Sequence, residues 1–419
     1  MKTGSRSRQF NREDSRWEDV RHSSSRTGTQ PLPARRKASG RKRSRASWIQ
    51  MDYSLVVIIF FLMAIGLIML YSASYYEASM KASCNYDPAF YLKKQLIWMI
   101  AGTVLMFLVA AIDYHHYIGK LSVLAYRVSL VLVAACLLFD PVNGARRWIR
   151  LGGFNFQPAE FSKIAIILFM TTLIVREGTG LYRRGAAIRL LAFPLLASAE
   201  IYFITENLSS AIIVFTVAFG MFFVARPDYG KFILLAMAGA ALAAAAVWFI
   251  VHYATGESGN FRFRRVIAWL DPEGEASSKA FQTIQALYAI GSGGLFGKGL
   301  GRGMQKLGYI PEVQNDMIFS VICEELGIFG AVCVILMFVL LCWRLLRIAF
   351  TARDVAGSYL AVGVFCHIAI QVFLNIAVAT NTIPNTGVTL PFISYGGTSI
   401  LFTLAEMGIV LNVSRQAGE

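Results

Sequence analysis

Charge is what this sequence is short of. Asp, Glu, Lys and Arg make up 16% of its 419 residues, against ~25% in an average soluble domain. Apolar residues reach 56%, against ~45–50%. That balance excludes an ordinary soluble globular protein. Cysteine is sparse and unpatterned: Cys84, Cys136, Cys323, Cys333, Cys342 and Cys366 lack the paired spacings of a zinc site or a disulfide framework. Five of them fall in apolar stretches, where cysteine behaves as a small hydrophobe. A phosphate-binding loop is missing too. The run Gly291-Ser292-Gly293-Gly294-Leu295-Phe296-Gly297-Lys298-Gly299 suggests one at first sight. Such a loop needs Gly five residues before its Gly-Lys pair and Ser or Thr after it, and Ser292 and Gly299 stand at those places. No nucleotide is expected; the run reads as backbone that must bend or approach another segment closely.

What is present is a series of long apolar blocks. A membrane span needs ~20 mostly apolar residues, and the chain offers ten, near 53–73, 95–113, 120–139, 158–175, 187–205, 208–225, 230–253, 317–342, 357–379 and 393–413. The expected fold is an all-α integral membrane protein, with residues 51–415 as a ten-helix membrane domain. Residues 1–50 hold 14 basic and 4 acidic residues, +10 of the net +15, and too few large apolar side chains to offset chain entropy. They read as a disordered tail. Its basic runs suit anionic lipid at the cytoplasmic surface better than nucleic acid. An even number of spans places both termini on that side by the positive-inside rule, and the short loops holding Arg176, Arg183, Arg184, Arg189, Arg226, Lys231, Arg344, Arg347 and Arg353 agree.

Two outer segments depart from simple loops. Residues 140–157 place Arg146, Arg147 and Arg150 where the charge rule disfavours them, which suggests a use. Residues 254–316 form a large extracytoplasmic loop between spans seven and eight, unusually long for a connection without function. Its apolar stretches 266–270 and 284–290 suit short amphipathic helices on the membrane surface.

Asp316 stands where that loop enters the eighth span. Alone it reads equally as a helix cap or as a catalytic carboxylate. Its company on the outer face, Arg147, Lys163 and Arg265, favours chemistry, because these cations suit a diphosphate. A carboxylate base beside cations is what sugar transfer from a diphosphate carrier requires: the base takes a proton from the attacking hydroxyl, and cations or a metal ion hold the charge on the leaving phosphate. Pro158 and Glu160 open the fourth span with a sound helix-start signal, and Glu160 faces Lys163 three residues on. Glu324, Glu325, His367 and Glu406 lie within apolar spans, where ionisable groups are functional by default. Glu324 is about 12 Å below Asp316 along a helix, a place for tying helices together, and His367 reads as a satisfied interior histidine.

These blocks together resemble a known family. Gly144-Ala145-Arg146-Arg147-Trp148 with Gln157-Pro158-Ala159-Glu160-Phe161, Ala289-Ile290-Gly291-Ser292-Gly293-Gly294-Leu295, Pro311-Glu312 with Asp316, Glu324-Glu325-Leu326-Gly327 and Leu390-Pro391-Phe392-Ile393-Ser394-Tyr395-Gly396-Gly397 are similar, in order, to the SEDS proteins of shape, elongation, division and sporulation. The resemblance runs from the first span to the tenth. It implies ten membrane helices and polymerisation of lipid II into glycan strands at the cell membrane, beside a class B penicillin-binding protein that crosslinks them. It implies Asp316 as the essential aspartate, and Arg147, Glu160, Lys163, Arg265, Gln285 and Ser394 as substrate-binding residues. A divalent cation, magnesium or manganese, is the candidate cofactor, with Asp316 and Glu160 as its candidate ligands. Asn207-Leu208-Ser209-Ser210 is closer to the division or sporulation branch than to the elongation branch, which implies enrichment at the septum with other division proteins. Gln314-Asn315 replaces the His-Thr that many members carry before the aspartate. Two competing classes are a lipid II flippase gated by Glu324, Glu325 and Glu406, and a non-catalytic division scaffold. The flippase lacks the matching broken helices of inverted-repeat transporters, and a scaffold leaves the arginine-rich cleft unexplained.

Overall fold

The computed structural model describes residues 51–417 apart from 142–144, 152–153 and most of 227–277. The basic tail, most of the expected seventh span and Arg265 lie outside the described residues. The helices are α1 (Tyr53–Met80), α2 (Phe90–Ala111), α3 (Lys120–Ala135), α4 (Pro158–Glu177), α5 (Arg184–Thr205), α6 (Leu208–Ala225), α7 (Ser278–Ser292), α8 (Ile318–Thr351), α9 (Val355–Ala379) and α10 (Gly397–Ala417). All but α7 belong to the nine segments, among the described residues, long and apolar enough to cross a bilayer, and they coincide with nine of the ten expected spans. The chain is a multi-pass membrane protein. Helices dominate because a backbone without access to water must satisfy its own polar groups.

Several boundaries differ from the sequence reading. Helices α1 and α8 run on to Met80 and Thr351, because hydropathy marks the apolar part of a helix and not its polar ends. Helix α10 begins only at Gly397: residues 391–394 form a turn, with Phe392 at φ +62°. The segment before α4 is not a plain loop but a small antiparallel hairpin, β1 (Ile149–Leu151) with β2 (Phe154–Phe156), in register Ile149 to Phe156. The Phe156 ring meets Phe402 of α10 at 5.8 Å. The expected helix at 284–290 lies within α7, which packs against α8 with Ala280, Ala286 and Ala289 buried.

Helices α4 and α10 run through the centre of the bundle: 83% and 78% of their apolar windows are buried, against 28% for α2, α3, α5 and α8. At one end, the latch end, Arg344 of α8 grips Asp52 before α1 at 2.6 and 2.7 Å, and the Asp52 amide donates to Ser414 of α10 at 3.1 Å. Asn412 of α10 donates to Ala110 O of α2 at 2.7 Å, and the Tyr114 hydroxyl donates to Asp354 before α9 at 2.8 Å. Burial alone would raise the Asp354 carboxyl, but the Gly357 amide, Tyr114 and His115 outweigh it and hold it below the usual carboxylate value.

Towards the other end, α8 breaks at Gly327 (φ 69°, ψ −171°) and the glycine-rich run fills the break. Ile328 N donates to Gly294 O at 3.0 Å, Phe329 N to Leu295 O at 3.1 Å, Lys298 N to Glu324 O at 2.9 Å and Gly299 N to Glu325 O at 3.0 Å. The carboxylates of Glu324 and Glu325 have no exposure and clamp the same loop. Glu324 accepts from Lys298 and the Met304 amide, both at 2.8 Å. Glu325 accepts from Lys306 at 2.5 Å and from Ser72 of α1 at 2.7 Å. Both glutamates therefore fasten the loop to the bundle. A Cβ at Gly297 (φ +77°) would lie 2.1 Å from the Glu325 carbonyl oxygen, whereas one at Gly301 (φ +80°) would meet nothing within 4 Å. Gly301→Ala should therefore cost only the left-handed backbone strain, about 1–2 kcal/mol. Gly297→Ala, which adds backbone overlap, should abolish folded protein in detergent, read by thermal unfolding of the purified variants. Equal unfolding temperatures would contradict this account of the loop.

Candidate active site

The site end is built outward from α4. Gln157 is the extended residue before the helix, Pro158 sits at its start and Glu160 in its first turn. Because α4 is central, side chains three residues apart on it meet away from water: Lys163 Nζ lies 2.8 Å from Glu160 Oε1, with exposures of 2% and 7%. Lys163 also donates to Gln371 Oε1 of α9 at 3.0 Å, and the Gln371 amide nitrogen donates to Thr389 O at 3.0 Å. Ser399 of α10 hydrogen-bonds the Glu160 carboxylate. Charges taken out of water require this pairing.

Asp316 stands just ahead of the start of α8. The capping position is Met317, which has no side-chain cap bond. The Asp316 backbone is held by Asn375 of α9, whose amide nitrogen donates to Asp316 O at 2.9 Å and to Val388 O at 2.7 Å. A Cβ placed on Gly387 would lie 3.8 Å from Asp316 Oδ2, so the carboxylate abuts the 385–390 segment. Gln371 and Asn375 are one helical turn apart. A single face of α9 thus holds the Lys163–Glu160 pair and the Asp316 segment. Four buried oxygens around this segment, Gln314 Oε1, Ser320 Oγ, Asn375 Oδ1 and Thr386 Oγ1, have no hydrogen-bond partner among the described residues. Unpaired buried oxygens are rare in folded proteins, and a group of them marks a place for water or a polar ligand.

Arg147 lies at the end of α5, where its Nε donates to Thr205 O at 3.3 Å and one terminal nitrogen to Glu206 O at 2.9 Å. These are carbonyls that a helix terminus leaves without intrahelical partners. The following turn leads into α6, where Ser209 donates to Thr386 O, next to Gly387. The hairpin, the α5–α6 turn and the Asp316 segment are therefore neighbours. The Ser394 hydroxyl accepts from Leu390 N at 2.8 Å, closing the 390–394 turn. On α7, Gln282 is at the site end, donating to Pro311 O at 3.2 Å and accepting from Asn385 at 3.4 Å, and the half-buried Gln285 lies one turn further along. The sequence reading missed Gln371, Asn375 and Gln95. Gln95 is fully buried and bonds Ser394 O at 3.3 Å and Gly396 N at 3.2 Å. Their signal was an amide inside an apolar span.

The expected cation ligands do not form a cage. Glu160 is engaged by Lys163 and Ser399, and among the described residues no three His, Cys, Asp or Glu side chains converge.

Such a carboxylate, with a sealed ion pair and unpaired buried oxygens at one end of a bundle of apolar helices, defines a membrane protein with a polar site at its helix ends. The model of the FtsW, RodA and SpoVE cell cycle proteins matches residues 53–419, and the chain belongs to that family. It is 38% identical over 369 residues to stage V sporulation protein E of Bacillus subtilis, covering 87% of this chain and 97% of that protein. It is 37% identical to a probable peptidoglycan glycosyltransferase FtsW of Trichlorobacter lovleyi, covering 87% and 93%. Among solved structures it resembles a chain of a peptidoglycan synthase complex that coordinates polymerization and crosslinking, with TM-score 0.72 and 27% identity over 88% of this chain and 99% of that one. Against the rod shape determining protein RodA of Thermus thermophilus the TM-score is 0.60, with 26% identity over 89% and 99%.

Removing one partner of the buried pair leaves a stranded charge, a loss of about 3–5 kcal/mol. Lys163→Met should show it as a lowered unfolding temperature in detergent, and Lys163→Met with Glu160→Gln should recover most of it. Single and double variants of equal stability would contradict the pairing.

Proposed function

We propose that this chain is a peptidoglycan glycosyltransferase. It joins lipid II disaccharide units into glycan strands by inverting transfer on the outer face of the cell membrane, for septal wall synthesis. The observation that carries the reading is the shared mounting of Asp316 and Lys163–Glu160 on one face of α9. The names of the sporulation and division relatives support the substrate and the branch.

In this reading the chain crosses the membrane ten times with both termini in the cytoplasm, and the site end faces outward. Arg226 at the end of α6 bonds Leu181 O, beyond the end of α4, at the latch end. Helix α6 ends at the latch end and helix α8 starts at the site end, which accords with a count of ten spans. Arg176, Arg183, Arg226, Arg344, Arg347 and Arg353 gather at the latch end, as the positive-inside rule asks of a cytoplasmic face.

Asp316 removes the proton from the acceptor sugar's hydroxyl. The oxygen attacks the donor's anomeric carbon from the face opposite the diphosphate, with inversion. Arg147, half-buried at the α5–α6 turn, is the cation placed to grip the leaving diphosphate. Lys163 already has two of its three N–H donors engaged, so it acts as the positive charge beneath the groove. Arg265 completes the proposed set. A class B penicillin-binding protein crosslinks the strands, and the two gather with other division proteins at the septum.

The test is polymerisation of radiolabelled lipid II by the purified protein with its transpeptidase partner. A positioned base contributes about 10²–10⁴-fold. Asp316→Asn should therefore lose at least a hundredfold in strand synthesis while unfolding at an unchanged temperature. Strands made at the normal rate by that variant would overturn the assignment.

A further inference from the structure

Below the pair on α4 lies a second buried pair that the proposed chemistry does not use. His367 of α9 and Glu406 of α10 are 2% and 1% exposed. Both ring nitrogens of His367 face oxygens: Nδ1 is 2.6 Å from Glu406 Oε2 and Nε2 is 2.7 Å from Gln371 Oε1. The Gln371 amide has a determined orientation, because its nitrogen donates to Thr389 O and its oxygen accepts from Lys163 Nζ. That oxygen cannot donate, so His367 Nε2 must carry a hydrogen. One further proton is then shared between Nδ1 and Glu406 Oε2, and the pair is neutral overall whichever atom holds it. The order from the centre outward is Glu406, His367, Gln371, Lys163, Glu160. The groups facing this line from the neighbouring elements are Lys163 and Glu160 from α4, Glu406 and Ser399 from α10, and the Thr389 carbonyl.

We propose that His367 and Glu406 are positioning residues for Lys163. Their shared proton keeps a hydrogen on Nε2, which holds the Gln371 oxygen turned towards the Lys163 ammonium. Without it the amide loses one of its two donors and can rotate, presenting N–H to a cation. The ammonium would then rest on Glu160 alone and shift along α4, away from the position from which its charge reaches the leaving group. Glu406 Oε1, although buried, has no hydrogen-bond partner among the described residues. A group placed only for packing has no use for an ionisable carboxyl with one oxygen unsatisfied, since an apolar side chain of similar volume fits without that loss. The proposal rests on the reading of Lys163 given above.

The test uses the full-length protein with its transpeptidase partner and lipid II, with unfolding temperatures measured alongside. Glu406→Gln can donate to Nδ1 and leave the hydrogen on Nε2, so strand synthesis should stay within about threefold of normal. Glu406→Ala should lower kcat about tenfold or more, with KM for lipid II little changed. Residues acting through one another are not additive, so the same change in a Lys163→Met background should cost less than about twofold. Gln371→Met removes the shared acceptor but keeps the volume, and should itself lower kcat about tenfold, a readout that does not depend on the alanine variant folding. Glu406→Gln as slow as Glu406→Ala, a full tenfold effect in the Lys163→Met background, or a Gln371→Met protein at the normal rate would each overturn the proposal. A Lys163→Met protein at full rate would overturn the reading of Lys163 itself.

Discussion

The polar face of α9 is the constraint on which the site end depends. His367, Gln371 and Asn375 recur every four residues, which aligns them along one side of a helix. In a helix of this hydropathy each is a liability unless bonded, and each bond reaches a different element: α10 through Glu406, α4 through Lys163, and the start of α8 through the Asp316 carbonyl. The same three side chains therefore tie these elements together and fix the spacing between the carboxylate proposed as base and the buried cation. Hydrophobic packing alone gives no such precision in a bilayer, because lipid is as apolar as the helix faces it would replace.

A second set of buried charges makes this end rigid. Glu324 and Glu325, each paired to a lysine of the glycine-rich loop, lock residues 298–306 to α8 and α1. The break in α8 at Gly327 frees the backbone groups that this loop then bonds. Asp316 stands between that anchored loop and the start of α8, and the oxygens flanking it have no hydrogen-bond partner among the described residues. A rigid frame around incompletely satisfied polar atoms is the arrangement expected of a preorganised site.

Much of this was legible in the sequence. Long apolar runs marked nine helices, Pro158 and Glu160 marked the start of α4, and spacing paired Glu160 with Lys163. The bent, closely packed glycine run followed from its composition; depth suggested that Glu324 ties helices together, whereas its bonds run to the glycine-rich loop. Other features were not legible. The hairpin at 149–156 has strands of only three residues, too short for a periodicity to show. The 391–394 turn lies inside an apolar stretch that hydropathy continues into α10. Gln285 and Ser394 came from a resemblance and not from a physical pattern, and the bonds of Gln282 and the turn that Ser394 closes were not legible at all. Which amide inside a span meets which partner depends on helix rotation, and no single sequence specifies that.

The most direct measurement is an experimental structure of the complex with its transpeptidase partner and a lipid-linked disaccharide diphosphate. The account predicts the sugar hydroxyl within about 3 Å of an Asp316 carboxylate oxygen, with the diphosphate beside Arg147 and the Glu160–Lys163–Gln371 chain intact beneath it. Donor bound to another face of the bundle, with Asp316 walled off from it by protein, would contradict the account.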